Sequence, residues 1–200
     1  MNLLHRLPEI AVLRDRCRAV AALDAVLAPD WADRCFSFDS AWDDGQELAS
    51  IRDGSGNDWF IVFTEAGCYG RGFDHEAPAT AHLFDAVPAA FRPFVDEPAF
   101  ADFDGSPRAT VCFWREPGDD AWGISGTDSG ADELLEVLVD GTPEAYRRWA
   151  ADYYEAELDP TAVRHVFELR PLTAVVLSGL NPDPDLNALG PDLVGIGYPR

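Results

Sequence analysis

The segment Gln46–Phe73, QELASIRDGSGNDWFIVFTEAGCYGRGF, reads as two consecutive β-hairpins that share a central strand. The central strand is Trp59–Phe63, five consecutive apolar residues of types that favour β structure. Such a run cannot leave one face in water, so we expect neighbouring elements to cover both of its faces. Turn-forming residues flank it at Asp53–Asp58 and at Glu65–Gly67. The two neighbouring strands are therefore predicted at Gln46–Arg52 and Cys68–Phe73.

An amphipathic helix is predicted ahead of this sheet. Between Pro8 and Pro29, apolar residues recur at steps of three and four, a spacing that places them on one side of a helix. We expect the opposite side to be solvated or paired with acidic groups elsewhere; it carries Arg14, Arg16, Arg18 and Asp24. A short edge strand within Trp31–Phe38 and a turn at Asp39–Gly45 then lead into the first hairpin.

Two further strands are predicted after the hairpins, at Arg108–Arg115 and at Ala121–Ser125. An insertion precedes them, and its prolines allow only short helical pieces, at Ala81–Val87 and Pro88–Val95. The insertion is rich in apolar residues, which indicates that it packs over one side of the sheet. These residues are Leu83, Phe84, Val87, Phe91, Phe94, Phe100 and Phe103.

The last third of the chain is predicted to be helical. Ser129 caps a first helix that contains Leu134 to Leu138, and Thr142 and Asp159 each precede a proline that opens another helix. These further helices run to about Leu158, from Thr161 to Leu169 and from Leu172 to Leu180, with at most a turn or two around Leu186 and Leu193. The whole predicts an α+β fold in a single domain of residues 1–200: an N-terminal helix, an antiparallel sheet of about five strands with a proline-rich helical insertion, and a helical C-terminal third.

The charge is strongly acidic, with 36 acidic residues against 15 basic ones and a formal net charge of -21. All of the basic residues are arginine, which is typical of a GC-rich coding sequence, so one explanation of the acidity is genome composition. The alternative is functional, since an acidic surface attracts basic partners and raises their association rate. On either explanation the charge argues against direct binding of DNA or RNA.

We expect a soluble, cytoplasmic protein that does not enter the membrane. No window reaches about 18 uninterrupted apolar residues, and the first residues carry charges where a signal peptide needs an apolar run. The four cysteines lack the spacing of a zinc site, so we expect no metal and predict buried, reduced thiols; they are Cys17, Cys35, Cys68 and Cys112. No phosphate-binding loop, dinucleotide fingerprint or nucleophile elbow is present, so no cofactor is expected.

The hexapeptide Arg71–Glu76, RGFDHE, combines the most reactive side chains of the sequence. If a turn brings Asp74 and Glu76 beside His75, the imidazole could act as a general base or bind a metal. If the strand continues, His75 points away from both carboxylates. One alternative is structural, with Asp74 or Glu76 accepting backbone N–H groups at the end of the strand and Arg71 paired with a carboxylate. The other alternative is a contact to a ligand or partner, for which Arg71 is a candidate binding residue.

Two turns place a pair of aspartates next to a tryptophan: Trp42-Asp43-Asp44-Gly45 and Asp119-Asp120-Ala121-Trp122. If both lie at the same edge of the sheet, they form an acidic surface with aromatic anchors, which suits binding to a basic protein. The alternative is that they are only solvated loops.

Five segments resemble a family of bacterial proteins, many from actinobacteria, that has no assigned activity: D-W-F-I-V-F, R-G-F-D-H-E, E-P-A-F, C-F-W-R-E and V-D-G-T-P-E-A-Y. The resemblance covers Trp42 to Tyr198 and implies no role for any particular residue. In size, acidity and α+β order the chain is also similar in type to the immunity proteins of bacterial toxin systems. We therefore hypothesise an immunity-type inhibitor that binds a basic protein; the alternative is a small enzyme that uses His75 with Asp74 or Glu76.

Overall fold

The computed structural model describes residues 3–78, 80–126 and 133–199, and in this part of the chain the fold is α+β, as predicted. An N-terminal helix precedes an antiparallel sheet of six strands, and more helices follow it. The helices are α1 Ile10–Leu27, α2 Arg92–Val95, α3 Glu133–Asp140, α4 Pro143–Tyr153, α5 Pro160–Phe167, α6 Ala174–Leu180 and α7 Leu186–Ile196. The strands are β1 Phe36–Asp43, β2 Gln46–Arg52, β3 Asp58–Thr64, β4 Gly67–Phe73, β5 Val111–Arg115 and β6 Gly123–Gly126.

The sheet is a simple meander in which each strand pairs with the next, in the order β1 to β6. The two central hairpins are confirmed, with Ile51 and Gly72 on either side of Trp59. The first strand differs from the prediction, because β1 runs on to Asp43 through an irregularity in register where a turn at Asp39–Gly45 was expected. Beyond Phe38 the side chains of β1 are exposed or half-buried, so its polar residues stay in water while its backbone pairs with β2.

Both faces of β3 are covered, as predicted. Trp59, Ile61 and Phe63 point to the inner face, where the main core lies between the sheet and the helices. The Trp59 ring fills the space above Gly72, since a Cβ on that glycine would come within 2.6 Å of the indole. On the outer face, Val62 packs with aromatic residues of the insertion.

The insertion covers the outer face of the sheet with Leu83, Val87, Phe91, Phe94 and Phe100. Two of its details differ from the prediction. The segment 81–86 forms turns with His82 at a φ of 60°, which is incompatible with a helix. Phe103 is fully exposed.

The C-terminal helices match the prediction except in two places. α4 ends at Tyr153, just before Glu155 with its φ of 53°, whereas the prediction ran this helix to about Leu158. The tail forms α7, an eleven-residue helix with Pro191 inside it, where only a turn or two was expected. The Asp185 carboxylate caps this helix, and Leu189 and Ile196 are buried in the main core. Ser129, the predicted cap of α3, lies outside the described residues.

One expectation for α1 is wrong, because Asp24 is completely buried instead of solvated. Its carboxylate accepts hydrogen bonds from the backbone N–H groups of Cys35 and Phe36, at 3.0 and 2.7 Å. It also accepts from the hydroxyls of Tyr146 and Tyr154, at 2.6 and 2.8 Å. Burial raises the pKa of Asp24 to about 6, although these four donors act in the opposite direction. We call this set of contacts the Asp24 clamp.

Candidate functional site

The meander places three hairpin turns at the same end of the sheet. Successive antiparallel strands reverse direction, so the β1–β2, β3–β4 and β5–β6 connections share one end and the other connections share the opposite end. The two predicted acidic turns are the first and third of these three. They are separated by four strand spacings, or about 19 Å at the usual distance between strands. We call this end, formed by the turns 43–46, 64–67 and 116–122, the acidic end.

The carboxylates of the acidic end are exposed to solvent. Asp43, Asp44, Glu65, Asp119 and Asp120 are all in the exposed class. Within residues 3–78, 80–126 and 133–199, none of the five takes part in an ion pair. Two turns are stabilised internally, since Asp43 accepts from the backbone N–H of Asp44 and Asp119 from that of Glu116, at 2.8 and 3.0 Å. The acidic end therefore presents uncompensated negative charge on defined turns.

A groove of about 1060 Å³ opens at this end, between the start of α1 and the first two hairpins. Its charged lining residues are one arginine and four carboxylates, namely Arg14, Asp43, Asp44, Glu47 and Glu65. Arg14 lies 3.6 Å from Glu47, which also pairs with Arg18 of the same helix. The predicted pairing of the basic side of α1 with acidic groups is thus observed for Arg14 and Arg18. The groove keeps an excess of negative charge.

The two tryptophans of the predicted acidic surface have different environments. Trp42 is half-buried, lines the groove and stacks on Phe100 with ring centroids 5.4 Å apart. Trp122 is only 6% exposed, and its indole N–H donates to the carbonyl oxygens of Leu7 and Pro8, both at 3.1 Å. Trp122 therefore belongs to the core, and the expectation that it lies on the binding surface is corrected.

The Asp74-His75-Glu76 segment forms a turn at the opposite end of the sheet, after β4. His75 is exposed, and both its backbone N–H and its Nδ1 contact Oδ1 of Asn57, at 3.1 and 2.9 Å. The buried Asp74 accepts a hydrogen bond from the backbone N–H of Glu76 at 2.9 Å. Among the described residues no group of three His, Cys, Asp or Glu side chains is arranged to hold a metal ion. The contact of the Asp74 carboxylate corresponds to the structural alternative.

Arg71 lies away from both ends, under the insertion, and is 1% exposed. The predicted pairing with a carboxylate is not found, since no Asp or Glu in the described ranges forms an ion pair with it. Its surroundings are apolar, with the guanidinium carbon 5.3 Å from the centre of the Phe100 ring.

Three charged residues that line the groove were not among the predicted site residues: Arg14, Glu47 and Glu65. A signal was available for Glu65, because alternate turns of an antiparallel meander share one end of the sheet, which places the β3–β4 turn between the two acidic turns. The pairing of Arg14 with Glu47 depends on how α1 crosses the sheet, which no local pattern reveals.

Comparison with protein-family models, with curated proteins and with solved structures finds no match to this chain. Of the helices that the structure describes, none has the length and apolar character needed to cross a bilayer.

Proposed function

We propose that this is a binding protein that engages a basic protein partner through the acidic end. The observation that carries the proposal is the position of two acidic turns without ion pairs at one end of the sheet. The first of these turns lines a groove together with Trp42. Charge complementarity would steer a cationic partner to this end, and the net charge of -21 would extend the attraction. Trp42 would supply an apolar contact at the site of docking.

The class of partner that we propose is a cationic toxin, which the protein would inhibit. The support is the resemblance in type to immunity proteins, together with the charge of the acidic end. Four buried cysteines without disulfides support action in the cytoplasm, where thiols stay reduced. A nucleic acid is the least suited partner, since its phosphates would be repelled.

The alternative, an enzyme that uses His75, stays a prediction, because no described contact of His75 supports a catalytic role. Asn57, an uncharged amide, is the partner of the imidazole, so no carboxylate orients it as a general base in the described residues. Substitution of His75 by alanine followed by metal analysis tests this alternative; bound zinc or iron that is lost with the histidine would revive it.

Affinity capture with matched variants tests the proposed function. One variant replaces Asp43, Asp44, Asp119 and Asp120 by asparagine. The control variant has the same change in charge at exposed carboxylates that do not line the groove, Asp33, Asp152, Glu157 and Asp183, each replaced by its amide. A specific partner should bind the wild type and the control and should be lost from the first variant. Equal capture by all three proteins would contradict the proposal.

A further inference from the structure

Arg71 is a buried cation for which the surrounding protein supplies almost no acceptor. It lies on the outer face of β4, between Phe60 of β3 and Cys112 of β5 in the register of the sheet. Phe100 of the insertion covers it from above. Its one described hydrogen bond is long, from Nη1 to the carbonyl oxygen of Val95 at 3.4 Å.

The other two guanidinium nitrogens, Nε and Nη2, are buried and have no hydrogen-bond partner among the described residues. These two N–H groups share one edge of the planar guanidinium, and together they form the fork that receives both oxygens of a carboxylate. The hydroxyl of Tyr69 is likewise buried without a partner in the described chain. Tyr69 precedes Arg71 by two residues and so lies on the same face of the strand.

Leaving such donors unpaired is costly. A buried charge without a counter-charge loses its hydration and gains no electrostatic compensation. Burial accordingly lowers the pKa of Arg71 to about 10. An anion bound to Nε and Nη2 of Arg71 would both accept these hydrogen bonds and neutralise the buried charge, and so would stabilise the site.

We propose that Arg71 is the anchor of a second binding site, which takes the carboxylate of a small monoanionic ligand between the sheet and the insertion. The fork of Nε and Nη2 binds the two carboxylate oxygens, and the Tyr69 hydroxyl is the additional donor. Arg71 contacts Val95 and Phe100 in an apolar layer, so its one positive charge matches a single negative charge, whereas a phosphate dianion would keep an uncompensated charge there. This site is independent of the acidic end and of the partner proposed for it.

The cover of the site consists of short pieces, a 3-10 turn at Ala89–Phe91, the single turn of α2 and another 3-10 turn at Pro98–Phe100. Phe100 holds it on the sheet, with its ring stacked on Phe60 at 4.5 Å. Such short pieces have few internal hydrogen bonds, so local opening of the cover admits the ligand.

Titration of the full-length protein with sodium acetate tests the proposal, with neutral acetamide as the matched probe. The readouts are calorimetry and the NMR signal of the Arg71 Nε–H group. We expect saturable acetate binding that shifts this signal, and no response to acetamide. Arg71→Lys keeps the charge without the fork and should weaken acetate binding about tenfold, equivalent to ~1.4 kcal/mol. Arg71→Met should abolish binding, whereas Arg164→Met, a control at an exposed arginine of α5, should leave it unchanged.

Folding of the Arg71→Met variant is expected to be intact or improved, because it replaces an unpaired buried charge by an apolar side chain of similar length. If that variant nevertheless fails to fold, the comparison of wild type with Arg71→Lys decides the matter. Acetate that produces no saturable response, or that binds wild type and either Arg71 variant equally, would overturn the proposal. An Nε–H signal that exchanges with water and ignores acetate would mean that the fork binds solvent only.

Discussion

Trp42 and Trp122 each lie close to a pair of aspartates in the sequence, but their environments in the structure differ. Trp122 packs edge-on against Phe113, with ring centroids 5.4 Å apart, and fixes the chain before α1 through its indole N–H. Trp42 stays half-buried in the groove of the acidic end. The aspartates next to each tryptophan are exposed in both cases, so the sequence context cannot distinguish a core residue from a surface one.

Substitution of Trp122 should therefore destabilise the fold. We expect Trp122→Ala to cost about 3–5 kcal/mol of unfolding free energy, as for a large aromatic removed from a core. Trp122→Phe keeps most of the packing and loses the hydrogen bond, which should cost about 1–2 kcal/mol. Urea denaturation measures both. Full stability of the alanine variant would contradict the burial of this indole.

The cysteines should be slow to react in the native protein. All four are buried and free, as predicted. Burial raises the pKa of the Cys17 thiol and that of Cys112, the latter to about 12, so little reactive thiolate is present at neutral pH. Labelling by a thiol reagent should therefore be slow until denaturant is added. Rapid native labelling of either residue would show that the core is open to solvent.

The Asp24 clamp joins three elements, because Asp24 is on α1 and its donors come from the start of β1 and from α4. Tyr146 lies in the first half of α4, and Tyr154 directly follows its last residue. A signal for it was present in the sequence. Leu13, Cys17, Val20 and Asp24 follow one another at steps of four, three and four, which places Asp24 on the buried side of the helix. Its donors lie far away in the chain, and local patterns cannot identify them.

The clamp predicts a pH dependence of stability. The pKa of Asp24 is raised from 3.8 to about 6 in the folded protein, so folding favours the protonated form. The stabilisation of the folded protein by protonated Asp24 is complete below about pH 4. It is lost as the pH rises through about 6, which lowers the unfolding free energy by roughly 3 kcal/mol. Asp24→Asn does not titrate, so the difference in unfolding free energy between wild type and this variant isolates the effect.

Urea denaturation of both proteins between pH 4 and pH 7 supplies the measurement. The advantage of the wild type over Asp24→Asn should shrink with rising pH. An advantage that grows with pH would mean that the four hydrogen bonds outweigh burial and that the pKa of Asp24 is lowered instead.

Strands with strong local signals were predicted well, and elements that depend on distant contacts were not. The central hairpins have apolar runs bounded by turn residues, so their limits follow from the sequence. In α7, Gly190, Pro191 and Gly195 argue against a helix, but burial of Leu189 and Ile196 against the rest of the core overrides this preference.

In the candidate site, too, the features with a local sequence signal were predictable and those that depend on distant contacts were not. The acidic turns are visible in the sequence, and counting strand reversals places them at one end of the sheet. The burial of Trp122 and the missing counter-charge of Arg71 depend on packing between distant segments, which neither composition nor periodicity contains. The sequence thus predicts where the negative charge of the site lies, whereas the packing of its aromatic and basic residues is known only from the structure.

Two explanations of the net charge of -21 lead to different behaviour. If the acidity reflects genome composition alone, carboxylates at all exposed positions are equivalent. If the acidic end binds a basic partner, the four aspartates of its turns matter more than four carboxylates elsewhere. Exposed charges contribute little to folding, so neither set of amide substitutions should change stability much.

The association rate of a captured basic partner, measured by stopped flow over a series of salt concentrations, tests the central claim most directly. The Debye length falls from about 30 Å at 0.01 M to about 10 Å at 0.1 M salt, so a steered association should slow steeply over this range. The variant with asparagine at 43, 44, 119 and 120 should associate far more slowly at low salt, with little change in dissociation, while the control variant stays close to wild type. An association rate that ignores salt, or one that falls equally in both variants, would contradict binding through the acidic end.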